Sequence, residues 1–200
     1  VLEELDYFLE QKVPQVKFID RTFNCKKSHA MAIWNHILEK DRGITNFHFE
    51  IAADLLDEEE LELLGQMRPG LVQLEIGVQS TNPETLKAIH RPTDLKKIGR
   101  TTARINEGKN IHQHLDLIAG LPFEDFASFQ NSFNQVYAMR PEQLQLGFLK
   151  VLNGSPMEAM ANGYGIVSSP NPPYEVLFTP WLSYKEVLAL KGVEEMVEIH

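Results

Sequence analysis

Cysteine is almost absent from this sequence of 200 residues, which contains Cys25 and no other thiol. A single cysteine excludes an internal disulfide, and it excludes a metal or cluster site built from several cysteines of this chain. So little cysteine is typical of a protein from a reducing compartment. We therefore predict a cytoplasmic protein.

The sequence also lacks long apolar runs and an excess of positive charge. No uninterrupted apolar stretch approaches the ~20 residues of a membrane-spanning helix, and the first residues lack the basic-then-apolar pattern of a signal peptide. The formal net charge of −9 disfavours a surface that binds phosphate backbones. We therefore expect no membrane and no direct nucleic-acid partner, and a small molecule as the substrate.

Glycine is missing where a dinucleotide-binding fold needs it, in the turn after the first predicted strand. Five strand-like segments alternate with helical segments, which predicts parallel strands joined by right-handed crossovers. We therefore predict an α/β fold, a partial, open TIM-like (β/α) barrel with parallel strands. Beyond Gly154 the glycines and prolines predict a loop-rich stretch before a closing helix from Ser183. The predicted strands are Gln15–Asp20, Phe47–Ile51, Leu71–Gly77, the segment from His112 to the break at Gly120, and Gln143–Lys150.

The predicted strands carry polar groups on one face, unlike the strands of a closed barrel. His112, His114 and Asp116 share one face of the fourth strand, whose other face is mostly apolar, and Glu75 and Gln79 share one face of the third. A tightly closed barrel fills its centre with branched apolar side chains. We therefore expect a wider lumen that holds a polar small molecule, near the carboxyl ends of the strands.

Glu75 lies in the middle of a predicted strand and needs a partner. Burying an unpaired carboxylate costs several kcal/mol, so the side chain must be wet, bound to a ligand or paired with a cation. We expect a ligand, with Arg21 or Lys150 as the alternative partner.

Three segments of the sequence resemble the strands of a radical S-adenosylmethionine (SAM) enzyme. They are Phe18-Ile-Asp20 followed by Phe23-Asn24, Glu75-Ile-Gly-Val-Gln-Ser80 leading to Thr81-Asn-Pro-Glu-Thr-Leu86, and Asp116-Leu-Ile-Ala-Gly-Leu-Pro122. The sequence is most similar to the cobalamin-binding branch with a C-terminal extension of the DUF4080 type. The resemblance implies two regions, a partial radical SAM core barrel over residues 1–157 and the start of the extension over residues 158–200.

The resemblance implies contacts to the methionine and ribose parts of SAM from the first and third strands. Asp20 and Arg21 match the strand end that in the family holds the methionine amino group, although the usual Gly-Gly-Glu form is absent. Glu75 and Gln79 match the strand whose polar groups approach the ribose and the carboxylate.

The fourth and fifth strands are expected to contact adenine. Ile118 and Gly120 match the Gly-x-Ile-x-Gly segment that packs on adenine in the family, with Asp116 in place of the first glycine. Leu149 to Leu152 would supply main-chain contacts to the adenine.

The family binds a 4Fe-4S cluster through a Cys-x3-Cys-x2-Cys loop, which is absent from these 200 residues. The chain also begins directly in an amphipathic helix, without a methionine. We therefore expect a truncated catalytic core, inactive by itself, whose parent cleaves SAM reductively to a 5′-deoxyadenosyl radical. The branch implies cobalamin on a separate domain, because this chain has no Asp-x-His-x-x-Gly signature.

Two other functions are consistent with the same residues. His112, His114 and Asp116 have the chemistry of a divalent metal site, which predicts a metal-dependent TIM-barrel lyase or hydrolase without radical chemistry. A third interpretation is a non-catalytic module that binds a nucleotide or a partner on the barrel rim.

Overall fold

The computed structural model describes residues 1–199 of the chain. Helices and strands alternate along most of this length, as the sequence predicts. The helices are α1 (Leu2–Glu10), α2 (Lys27–Lys40), α3 (Glu58–Gly65), α4 (Pro83–Ala88), α5 (Leu95–Gly108), α6 (Phe126–Tyr137), α7 (Pro156–Tyr164) and α8 (Tyr184–Ile199), with a 3₁₀ turn at Phe23–Cys25. The strands are β1 (Gln15–Lys17), β2 (Asn46–Ile51), β3 (Val72–Gln79), β4 (His112–Ala119), β5 (Gln143–Phe148), β6 (Val167–Ser168) and β7 (Val176–Phe178).

The first five strands form one sheet in the order β1-β2-β3-β4-β5. Strands β1 and β2 pair in parallel, with Lys17 opposite His48. Strands β2 and β3 also pair in parallel, with Glu50 opposite Glu75. Sequential order in a parallel sheet is what consecutive strand-helix-strand units with right-handed crossovers produce. β6 and β7 form a separate antiparallel pair.

The first strand is shorter than predicted, because pairing stops soon after Lys17. Phe18 still donates its N–H to the carbonyl of His48, but Ile19 is 93% exposed and Asp20 is also exposed. The ring of Phe18 stacks on that of Phe49, with centroids 4.7 Å apart. The predicted strand thus ends three residues early, at Lys17.

The stretch beyond Gly154 contains a helix that the sequence interpretation missed. Ser155 caps α7 by accepting a hydrogen bond from the N–H of Glu158, and Pro156 occupies the first turn. Gly165 ends the helix with a φ of +71°. Ser-Pro-x-Glu is an N-terminal helix signal, but the glycines and prolines that follow it led to the prediction of a loop.

The chain divides into two compact units. The first consists of residues 1–77, 94–115 and 139–143. Its core is aromatic: Phe23, Trp34 and Phe49 are all buried, and the centroids of the Phe23 and Phe49 rings are 4.4 Å apart. Helix α3 in this unit begins with a capping box, in which Asp57 and Glu60 accept hydrogen bonds from each other's N–H.

The second unit consists of residues 78–93, 116–138 and the chain from Leu144 onward. Leu117 and Ala119 of β4 lie in its core with Leu146, Phe129 and Val176. The predicted boundary at residue 157 falls inside this unit and stays a prediction. No helix within residues 1–199 is both long and apolar enough to cross a membrane.

Candidate functional site

A cation, an imidazole and a carboxylate meet on one face of the sheet in the first unit. Lys17 ends β1, His48 lies in β2 beside it, and Glu75 lies in β3. The Nζ of Lys17 and the Nε2 of His48 are each 2.9 Å from the same oxygen, Oε2 of Glu75. The cation that pairs with Glu75 is therefore Lys17, instead of the expected Arg21 or Lys150.

The charges of this cluster follow from burial and from its neighbours. Burial acts to raise the pKa of Glu75, but the hydrogen bond and charge of Lys17, with His48 and His114, hold that pKa below its usual value. Burial lowers the pKa of His48, and the charge of Lys17 lowers it further. The carboxylate of Glu75 acts to raise this pKa but does not outweigh the other two effects. At neutral pH the cluster contains an ammonium–carboxylate pair beside an uncharged imidazole.

His112 and His114 lie on the same strand, β4, as predicted. His114 is 7% exposed, and burial lowers its pKa against the opposing carboxylate of Glu75. Within residues 1–199 no group of three or more His, Cys, Asp or Glu side chains is arranged to hold a metal ion. The alternative metal site at His112, His114 and Asp116 finds no support in this geometry.

Asp20 and Arg21 lie in the exposed segment that follows β1. Within residues 1–199 neither side chain makes a hydrogen bond or an ion pair. Asp20 instead borders an open groove of about 220 Å³, which is also lined by Phe8 and Ile19. Their predicted contact to the methionine amino group stays a prediction.

Gln79 ends β3 in a backbone conformation that few side chains adopt. Its φ is +69°, and the N–H of Ser80 donates to the carbonyl of Val78 across it, at 2.9 Å. The Oε1 of Gln79 is buried and accepts no hydrogen bond from residues 1–199. A buried acceptor without a donor is costly, and ligand-binding positions are where proteins retain such groups. Gln79 is therefore the predicted site residue whose geometry best suits a contact to a ligand.

A buried carboxylate lies behind this turn in the second unit. Glu124 is 1% exposed, and burial raises its pKa against the hydrogen bonds of three serines. Its Oε1 accepts the hydroxyl protons of Ser80 at 2.7 Å, Ser132 at 3.0 Å and Ser128 at 3.4 Å. The sequence interpretation did not assign Glu124 a role, although Glu124 follows the Gly-Leu-Pro motif within two residues.

The remaining predicted residues lie at the end of β4 and beside it. Asp116 and Ile118 are half-buried and alternate with the buried Leu117, so they share a face of the strand. A Cβ on Gly120, whose φ is +85°, would lie 2.7 Å from the Cγ1 of Val176. The absence of a Cβ at Gly120 therefore leaves space for the side chain of Val176.

The main chain of Leu149 is already hydrogen-bonded within the protein. Its N–H donates to the carbonyl of Ala119 at 2.9 Å, and its carbonyl accepts from the N–H of Val176 at 2.8 Å. Any main-chain contact of Leu149 to adenine would have to use the second lone pair of that carbonyl.

The polar groups present suit an adenosyl ligand better than an iron-sulfur cluster. Gln79, Asp116 and Ile118 combine hydrogen-bonding acceptors with an apolar side chain, which a nucleoside requires. A 4Fe-4S cluster requires several thiolates, and Cys25 is the chain's one cysteine and is exposed. The residues of this chain do not fit such a cluster.

Comparison with protein families identifies the class. Residues 1–136 match the radical SAM superfamily, and residues 162–200 match a family described as a protein of unknown function, DUF4080. Because the first match covers more than half of the sequence, the chain belongs to the radical SAM superfamily. This membership confirms the resemblance seen in the motifs and the prediction of a radical SAM enzyme.

The chain is also similar to curated proteins. Oxygen-independent coproporphyrinogen III oxidases from Salmonella typhimurium and Salmonella typhi are each 32% identical over 110 residues. The alignments cover 50% of this chain and 23% of each relative. The chain thus spans about a quarter of the length of these relatives.

Solved structures share the fold at low sequence identity. The cobalamin- and cluster-bound radical SAM methyltransferase TsrM from Kitasatospora setae gives a TM-score of 0.69 at 18% identity, over 85% of this chain and 32% of that chain. Coproporphyrinogen III oxidase HemN from Escherichia coli, a radical SAM enzyme, gives 0.67 at 17% identity, over 98% and 46%. These similarities confirm the predicted α/β fold class, a partial, open barrel of parallel strands.

Proposed function

We propose that this chain is part of the catalytic core of an enzyme that cleaves SAM reductively to a 5′-deoxyadenosyl radical. The observation that carries the proposal is the match to the radical SAM superfamily over residues 1–136. A 4Fe-4S cluster supplies the electron for such a cleavage, and its thiolate ligands would come from cysteines outside these 200 residues. The proposed role of this chain's own residues is to bind and orient SAM.

The proposed contacts to the adenosyl group come from Gln79, Ile118 and Asp116. The Oε1 of Gln79 is a buried acceptor that needs a donor, and a ribose hydroxyl is one. Ile118 offers an apolar side chain for adenine, and Asp116, on the same face of β4, offers a carboxylate for a hydroxyl. Gly120 and Leu149 support this strand end through their contacts to Val176.

The motif resemblance assigns contacts to the methionine and ribose parts to Asp20, Arg21 and Glu75. Asp20 and Arg21 are exposed and keep the role that the motif gives them. Glu75 is charged at neutral pH and would repel the methionine carboxylate, so its role is restricted to donors such as a ribose hydroxyl. Lys17, which the motif did not include, is the cation of this group that would attract a carboxylate.

The substrate is proposed to be a small molecule. The curated relatives act on coproporphyrinogen III by name, but the chain covers only 23% of them. Cobalamin belongs to the proposal as the further cofactor of the branch that the motifs resemble. No residue of this chain is assigned to cobalamin.

The test is SAM cleavage by the full-length protein that carries this chain. The protein is reconstituted anaerobically with iron and sulfide, reduced and mixed with SAM, and 5′-deoxyadenosine is measured by chromatography. We expect 5′-deoxyadenosine from the wild type. We expect Gln79→Ala to weaken SAM binding by ~10-fold, because one hydrogen bond to a buried acceptor is lost.

The matched control is Gln130→Ala, which truncates a glutamine on an exposed face of α6. Its SAM affinity should equal that of the wild type. A reconstituted protein with a full complement of iron and sulfide that neither binds SAM nor produces 5′-deoxyadenosine would overturn the proposal.

A further inference from the structure

We propose that Glu124 is a positioning residue that fixes the orientation of Gln79 for SAM binding. This inference rests on the proposed function, because it assigns Gln79 a contact to SAM. Glu124 acts through the main-chain amides of Thr81 and Asn82, by way of the hydroxyls of Ser132 and Ser80.

Two hydrogen-bonded relays connect the main chain after Gln79 to one carboxylate oxygen. In the first, the N–H of Asn82 donates to the Oγ of Ser80 at 3.0 Å, and Ser80 donates its hydroxyl proton to Oε1 of Glu124 at 2.7 Å. In the second, the N–H of Thr81 donates to the Oγ of Ser132 at 3.0 Å, and Ser132 donates to the same Oε1 at 3.0 Å.

Both relays can end at Glu124. A main-chain N–H can only donate, so the oxygen of each serine accepts it and the hydroxyl proton of that serine remains to be donated. Ser80 donates this proton to Glu124, and Ser132 does so when the hydroxyl of Thr81, 3.0 Å away, donates to Ser132. Hydrogen bonds to a carboxylate are stronger than those between neutral groups, and burial strengthens them further.

The relays hold a turn whose backbone conformation is unfavourable for the residue at its centre. A φ of +69° is unfavourable for glutamine because its Cβ crowds the main chain. Such a conformation persists only where the surrounding structure holds it in place, and residues in this conformation are found more often at binding sites. Here the surroundings are the amides of Thr81 and Asn82, both anchored to Glu124. The relays therefore fix the direction in which the side chain of Gln79 extends from the end of β3.

The fold of this region does not depend on Glu124 alone. Asn82 donates through Nδ2 to the carbonyl of Phe123 at 2.9 Å, and Thr85 donates through Oγ1 to the carbonyl of Pro122 at 2.8 Å. These two hydrogen bonds join the same loops without the carboxylate. Variants at Glu124 are therefore expected to fold, with the local change confined to the Gln79 turn.

The first experiment is a double-mutant cycle on SAM affinity, measured by calorimetry on the full-length protein. We expect Glu124→Ala to weaken SAM binding by ~10-fold in the wild-type background and less than ~2-fold in the Gln79→Ala background, because coupled residues are non-additive. Ser80→Ala, which breaks one relay, should give a smaller loss with the same dependence on Gln79. Glu124→Leu keeps most of the side-chain volume without an acceptor and serves as the second variant if Glu124→Ala is unstable.

The matched control is Glu60→Ala. Glu60 is 2% exposed, burial raises its pKa, and it belongs to the capping box of α3 in the first unit. Both alanine variants should lower the unfolding temperature, but only Glu124→Ala should change SAM affinity. Equal losses of affinity for Glu124→Ala with and without Gln79, or no loss at all, would overturn the inference.

Hydrogen exchange separates this inference from the proposed function. Mass spectrometry of the segment 79–85 should show faster exchange of the Thr81 and Asn82 amides in Glu124→Ala and unchanged exchange in Glu60→Ala. Unchanged exchange in Glu124→Ala would overturn the relays. Faster exchange in Glu124→Ala together with a wild-type protein that binds no SAM would leave the relays standing but overturn the proposed function, and with it the positioning role.

Discussion

Lys17 and Glu75 are 58 residues apart in sequence, and the Nζ of one lies 2.9 Å from Oε2 of the other. Strand β2 lies between their strands in the sheet, and His48 of β2 contacts the same carboxylate oxygen. The pair therefore joins β1, an edge strand of only three residues, to the centre of the sheet. We therefore expect the Lys17–Glu75 pair to stabilise the pairing of β1 with the sheet by a measurable amount.

Replacing Lys17 with methionine should destabilise the protein by ~1 kcal/mol, because Glu75 remains partly buried without its cation. The magnitude is small because Lys17 is half exposed. Chemical denaturation at neutral pH measures the effect. Lys26→Met, at an exposed lysine without an ion pair, is the control and should be neutral. Equal stability of the two variants would contradict the role of the pair.

Stability should decrease as the pH falls below the ordinary histidine pKa of 6.5, because burial lowers the pKa values of His48 and His114. A group with a lowered pKa in the folded state binds its proton more readily when unfolded, so acid favours unfolding. Replacing both histidines with glutamine should flatten the stability curve between pH 7 and about 5. Denaturation midpoints across that range provide the measurement, and parallel curves for the two proteins would refute the prediction.

The pKa of Glu124 is raised, so its contribution to stability has the opposite pH dependence to that of Glu75. The folded state favours the protonated carboxyl, and the resulting stability is lost as the pH rises through the folded-state pKa. Glu124→Gln cannot titrate, so the variant should lack this loss. The difference in unfolding free energy between variant and wild type should therefore shift in favour of the variant from acid to neutral pH.

Alanine at Gly120 should destabilise the protein by ~1–3 kcal/mol through overpacking against Val176. Gly43→Ala is the matched control, because its φ of +79° gives similar backbone strain but nothing lies within 4 Å of the added Cβ. Gly120→Ala should destabilise the protein more than Gly43→Ala does. In a protein that already carries Val176→Ala, the destabilisation by Gly120→Ala should be smaller. Thermal unfolding of the single and double variants and of the wild type tests this.

Cys25→Ser should leave the iron and sulfide content of the reconstituted full-length protein unchanged. Cys25 is exposed and belongs to no group of metal ligands within residues 1–199. Colorimetric iron and sulfide assays give the answer. A loss of one iron per protein would show that this thiol takes part in cluster binding after all.

The order of strands and helices could be predicted from the sequence because each element carries its own local signal. The alternation in β3 and β4 and the capping box before α3 depend on neighbouring residues only. The partner of Glu75 could not be predicted in this way, because Lys17 reaches it through strand pairing. Ser80 and Ser132 likewise meet at Glu124 through packing, and serine carries no signal of its own. Gln79 was predicted from its motif, but its positive φ was not.

The contact between Gly120 and Val176 limits how freely the C-terminal extension can be exchanged among relatives. Gly120 leaves space for the side chain of Val176, so the end of β4 and the β6–β7 pair are complementary in shape at this point. A chimera that joins this barrel segment to another extension must bring a residue of similar size to that point. Otherwise the junction would leave a void or a clash at the end of β4.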